Sequence, residues 1–67
     1  MITVKVNDTN KTFLKEITID RMIETLQIQS NGIAIAINNS IIKKSDWESH
    51  TLSENDNVLI IRSTQGG

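Results

Sequence analysis

One sustained stretch of this chain repeats with a helical period, and strand patterns flank it on both sides. Ile19, Met22, Ile23 and Leu26 fall at i, i+3, i+4 and i+7, one face of an α-helix. The apolar residues around it alternate or run in short blocks. A lone helix buries only a narrow stripe, so the strands must supply the layer that it packs on. In 67 residues there is room for one domain and one core.

The strand patterns are readable in order. Ile2, Val4 and Val6 point one way while Thr3 and Lys5 point the other, which is a half-buried strand. The polar cluster Asn7-Asp8-Thr9-Asn10 reads as a turn, and residues 11–17 as a second strand forming a hairpin with the first. In that strand Phe13, Lys15 and Ile17 share one side, opposite Leu14 and Glu16. Thr18 is placed to cap the helix by accepting a first-turn N–H, and Asp20 suits the positive end of its dipole. Ser30-Asn31-Gly32 is expected to end it, with Gly32 at positive φ.

Ile33, Ile35 and Ile37 then form a large-residue face, and Ala34 and Ala36 a small one. Asn38-Asn39-Ser40 reads as a tight turn before a short strand at residues 41–44. Ser45-Asp46-Trp47 suggests a turn or one helical turn capped by Ser45 or Asp46, with Trp47 as a partly buried anchor. Val58-Leu59-Ile60-Ile61 is apolar without alternation, as in the middle of a sheet, so the pattern leaves its two sides undivided. The order is β-β-α-β-(β)-β, and the first and last strands can lie side by side in parallel. The expected architecture is α+β: the β-grasp (ubiquitin-like) arrangement, a mixed four- to five-stranded sheet with one main helix packed on one face.

Composition narrows the function classes. A core this small leaves little room for a deep catalytic pocket, so a carrier or binding module is expected rather than an enzyme, and no catalytic residue is assigned. Net charge is −1, and the sole adjacent basic pair is Lys43-Lys44. No basic stripe marks a nucleic-acid partner. No apolar run is long enough to span a membrane, and the first residues lack a signal-peptide pattern. The expected location is the cytoplasm. Without Cys there is no disulfide, thiolate metal site or catalytic thiol. A lone His50 among scattered carboxylates does not suggest a metal site, and no role is assigned to it.

The chain has three Gly, and two of them are Gly66 and Gly67. They follow a strand that reads as central, so residues 1–63 are expected to form the body and residues 64–67 a flexible tail. Four extended residues reach about 13–14 Å. Gly has no Cβ, so such a tail can thread a narrow channel and present its carboxylate to an enzyme.

With these residues the chain resembles the ubiquitin-like sulfur carrier proteins, most closely those of thiamine biosynthesis (the ThiS family). The similarity covers essentially the whole chain. It is carried by Val6-Asn7-Asp8, residues 34–47 (AIAINNSIIKKSDW), residues 52–61 (LSENDNVLII) and Gln65-Gly66-Gly67. The chain departs from the family pattern at Lys43-Lys44, where members often carry Pro-Arg, and at Asn55-Asp56, where they often carry Gly-Asp.

The resemblance implies that an E1-like activating enzyme uses ATP to adenylate the Gly67 carboxylate. A cysteine desulfurase or another sulfur donor then displaces AMP, leaving a thiocarboxylate. Thiazole synthase takes that sulfur for the thiazole ring of thiamine. Gly66, Gln65 and Thr64 would thread into the partner's active site. Ala34, Ala36 and Arg62 are candidates for the partner surface, with the alanines giving a flat face and Arg62 a steering charge. No cofactor is expected to be bound; ATP belongs to the activating enzyme. Two neighbouring readings share the chemistry of Gly67. One is the small subunit of molybdopterin synthase, and the other is a ubiquitin-like modifier joined to lysines.

Overall fold

The computed structural model describes residues 1–62. Its elements are β1 (Ile2–Val6), β2 (Thr9–Phe13), α1 (Ile19–Thr25), β3 (Ile33–Ile37), β4 (Ser40–Ile42), a single 3₁₀ turn (Lys44–Asp46) and β5 (Asn57–Arg62). The strands form one sheet in the order β2-β1-β5-β3-β4. The β1–β5 pair is parallel, and the other three pairs are antiparallel. This is the β-grasp expected from the sequence, with five strands rather than four.

Both hairpins close through two-residue turns with both central residues at positive φ. These are Asn7 (47°) with Asp8 (70°), and Asn38 (51°) with Asn39 (73°). That geometry marks the type I′ turn, whose twist matches the flanking strands. The first turn is therefore shorter than its four-residue polar cluster implied, and β2 begins at Thr9 rather than Lys11. It also ends at Phe13, because the chain turns at once. Glu16 takes φ 66° and the Ile17 N–H donates to the Leu14 carbonyl. Leu14 is left exposed.

Helix α1 buries Ile19, Met22 and Ile23 and half-buries Leu26, as its period requires. Its start is not capped as expected. The N–H groups of Ile19 and Asp20 are satisfied by the His50 and Trp47 carbonyls (3.0 and 3.3 Å). With those orphan donors already paired, the Thr18 hydroxyl instead donates to Asp20 Oδ1 at 2.6 Å. The helix also stops before Ser30-Asn31-Gly32. Gln27 takes the left-handed conformation (φ 59°); its N–H donates to Glu24 and that of Ile28 to Ile23. This is a Schellman motif built on Gln rather than Gly. Gly32 does take positive φ (74°), but at the entry to β3.

The core lies between α1 and one face of the sheet. Val4, Ile19, Met22, Ile35 and Val58 are fully buried there. The segment from β4 to β5 closes the open end of this layer. Leu52 donates its N–H to Ile17, and Thr18 bridges Thr51. Trp47 is buried, and its Nε1–H donates to the Ile42 carbonyl at 3.1 Å. Lys44 Nζ stands 5.9 Å from the indole centroid. The 3₁₀ turn is entered from Lys43, not capped by Ser45 or Asp46.

Of the two departures from the family pattern, Asn55 takes φ 70°, the left-handed turn that Gly would supply. Lys43 sits at φ −61°, the angle that a proline ring would fix.

Candidate functional site

Helix α1 covers one face of the sheet, and among the described residues the other is open. Strand register assigns residues to that open face. Ala34 pairs with Ile61, and Ala36 pairs with Leu59 on one side and Ile41 on the other. Directly opposed residues share a face. Ile35 and Ile37 therefore face the core with Ile60 and Val58, their own partners. The undivided apolar run of β5 thus splits: Val58 and Ile60 face in, Leu59 and Ile61 out. Leu59 remains 49% exposed, Ile61 42% and Ile41 65%.

These residues form one apolar patch across β5, β3 and β4. The alanines make its floor. Ala36 is buried although it faces away from the core, because Leu59 and Ile41 stand over it from the neighbouring strands. Ala34, half-buried, lines a shallow depression with Gly32, Ile33 and Ile61. The other half of the open face is polar. Thr3 pairs with Thr12, and Lys5 with Asn10 on β2 and Asn57 on β5. A contiguous apolar patch beside a polar border is the ordinary signature of a contact surface.

Arg62 lies elsewhere. It is exposed and pairs with Ile33, on the helix side of β5, so it does not share a face with Ala34 and Ala36. Thr64, Gln65, Gly66 and Gly67 lie outside the described residues. In the sequence they follow β5, whose last described residue is Arg62. Among the described residues no group of three or more His, Asp or Glu is placed to hold a metal.

The position of β5 follows from two sets of bonds. On one side it pairs with β3 along five residues, from Val58 to Arg62. On the other, β1 pairs with it at Asn57 and Val58. Asn7 then takes over. Its backbone N–H donates to the Val58 carbonyl (3.0 Å), its side-chain Oδ1 accepts from the Ile60 N–H (2.8 Å), and its Nδ2–H donates to the Ile60 carbonyl (3.3 Å). Sequence reading missed this residue and the three large members of the patch. Asn7 carried a turn signal that hid its second role, and the sides of β5 emerge only from its register with β3.

The family model for the ThiS family matches residues 4–67. The chain belongs to the ThiS family. The sulfur carrier protein ThiS of Escherichia coli (strain K12) is 30% identical over 50 residues, covering 75% of this chain and 76% of its own. The crystal structure of the thiamine biosynthesis protein ThiS from Geobacter metallireducens superposes with a TM-score of 0.87. It covers 98% of this chain and all of its own at 16% identity, a likeness of fold. The match to the family model reaches Gly67, so the family pattern takes in residues 64–67 as well as the described β-grasp. No helix among the described residues is long and apolar enough to cross a membrane.

Proposed function

We propose that this chain is a sulfur carrier that delivers sulfur for the thiazole ring of thiamine, with Gly67 as the residue that is loaded. The observation that carries this reading is the family match running through the terminal Gly-Gly, which begins four residues after Arg62, the last residue of a central strand. It is a protein cosubstrate, not a catalyst.

The chemistry needs an activated carboxylate, because a free carboxylate resists nucleophilic attack. One Gly67 oxygen attacks the α-phosphorus of ATP on an E1-like activating enzyme; pyrophosphate leaves and an acyl-adenylate forms. Hydrosulfide then adds to the acyl carbon and AMP departs, leaving a C-terminal thiocarboxylate. A persulfide, such as one held by a cysteine desulfurase, gives an acyl disulfide that a second thiol reduces to the same product. Thiazole synthase takes the sulfur. Gly66, Gln65 and Thr64 form the threaded segment, where a Cβ next to Gly67 would meet the channel wall.

The apolar patch around Ala34 and Ala36, completed by Leu59, Ile61 and Ile41, docks the activating enzyme and the synthase in turn. The exposure of its three large side chains and its position beside the end of β5 support this assignment. Arg62, on the helix side, stays outside the docking face and acts as a steering charge near the tail.

The test is intact mass spectrometry of protein with a native C-terminus, before and after incubation with ATP, the activating enzyme and sulfide. The expected product is heavier by one oxygen-to-sulfur exchange located at Gly67, and a variant extended beyond Gly67 stays unloaded. Loading of the extended variant, or an unmodified carboxylate in the native protein, refutes the reading.

A further inference from the structure

We propose that Asn7 is a positioning residue for the tail, acting as a one-residue substitute for a strand and aligning the end of β5 with the partner's channel. The proposal rests on the reading of Gly67 as the loaded residue. It begins from a defect in the sheet. β1 turns away after Val6, and its last pairing with β5 is at Val58. β4 reaches only as far as Ile35 of β3. Beyond those points the sheet narrows to Ile33 and Ala34 against Ile61 and Arg62. A two-stranded ribbon is marginal in water and twists freely. That ribbon is also the last described structure before the tail.

Asn7 restores the missing side at Ile60, the last residue of β5 before that ribbon. At φ 47° the chain turns away, and the Asn7 side chain reaches onward along β5 and meets both polar groups of the Ile60 backbone. The amide offers one acceptor and two donors, so it reproduces what a neighbouring strand residue would offer. Ile60 is buried, which makes an unpaired N–H or carbonyl there unfavourable. Few side chains combine this pairing with positive φ. Asp tolerates the backbone but lacks the donor, and Gly tolerates it but lacks both groups.

A strand end fixed in advance lowers the ordering that a partner must impose when it takes the tail. The effect should appear in binding and not in chemistry. In Asn7→Gly, which keeps the turn, KM for the carrier in ATP-dependent adenylation is expected to rise about tenfold with kcat unchanged, the order of losing one or two hydrogen bonds. Asn7→Asp should fall between Gly and wild type. Both variants are assayed at a temperature where thermal melts show them fully folded. A simple loss of stability would then leave KM unmoved. Amide exchange in the free protein gives an independent reading: Ile60 and Ile61 should exchange about tenfold faster or more in Asn7→Gly, with Val4 unchanged. Faster exchange together with the raised KM supports the proposal. Unchanged exchange overturns it, as does faster exchange with an unchanged KM. If wild type is not adenylated at all, the sulfur-carrier reading falls and this role for Asn7 falls with it, while the exchange data still say whether Asn7 holds the strand.

Discussion

Adjacent residues of β5 should respond in opposite ways to the same substitution. Ile60 is 8% exposed and faces the helix, and Leu59 is 49% exposed and faces out. At about 0.05–0.15 kcal/mol per residue, a chain of 67 residues has a stability of about 3–10 kcal/mol. Ile60→Asp loses the burial of an Ile side chain, about 2–3 kcal/mol. Its carboxyl must also remain neutral inside the core. Protonating a group of pKa about 3.9 at pH 7 costs about 4 kcal/mol, at 1.36 kcal/mol per unit. Together these equal or exceed most of that range, so Ile60→Asp should be unfolded at neutral pH. Leu59→Asp leaves its charge in water. It loses about 1 kcal/mol of partial burial and up to about 1 kcal/mol of strand preference. At roughly 4–8 °C per kcal/mol, its Tm should drop by about 5–15 °C.

The assay is thermal melting by circular dichroism, with the emission of Trp47, the sole Trp and buried in the native fold, as a second probe. The neutralisation penalty has a definite sign in pH. The carboxyl that Ile60→Asp buries has its folded pKa raised above the unfolded value, so the penalty is present above about pH 4 and fades as pH falls toward it. Acidification from pH 7 toward 4 should therefore recover native-like Trp emission in the Ile60→Asp variant. If Leu59→Asp is as unfolded as Ile60→Asp, or if Ile60→Asp melts like wild type, the division of β5 into an inner and an outer side is wrong.

Two further predictions bear on the departures from the family pattern and on the open face. Lys43 already has φ −61°, and among the described residues its N–H makes no backbone hydrogen bond, so Lys43→Pro should raise stability by about 0.4–1 kcal/mol, read as a higher Tm. Ala34→Arg should leave the melt within a few degrees of wild type, because the new side chain enters solvent. It should weaken binding to the activating enzyme by at least about tenfold, measured by titration calorimetry, through filling the depression beside Ile61.

How much the sequence revealed depended on whether each signal was local. The helix period and the first strand are local patterns, and both appear where expected. Asn38-Asn39 predicted a turn because Asn tolerates positive φ, and both residues adopt it. Thr18 looked like a cap, but its competitor for the Asp20 N–H, the Trp47 carbonyl, lies far away in sequence. Gln27 ends the helix in a conformation that its residue type does not advertise. The alanines of β3 pointed to a flat face, yet Leu59, Ile61 and Ile41 could be added to it only through cross-strand register. Asn7 is the extreme case, with its side-chain bonds spanning 53 residues.

That the chain runs from β5 into residues 63–67, rather than from an edge strand, has a physical logic of its own. An edge strand is held from one side and frays, and it also invites pairing with other chains. β5 is the third strand of five and is held by β3 and by β1 with Asn7. Its side chains alternate between a core that keeps it in place and an open face that can meet a partner. Ile61, on that open face, lies six residues before Gly67. Six extended residues reach about 20 Å. An enzyme that docks on the patch and acts on the C-terminus must therefore keep its reactive site within about 20 Å of Ile61. A docking mode that covers the patch but sets the adenylating site farther away cannot load this chain, however tightly it binds.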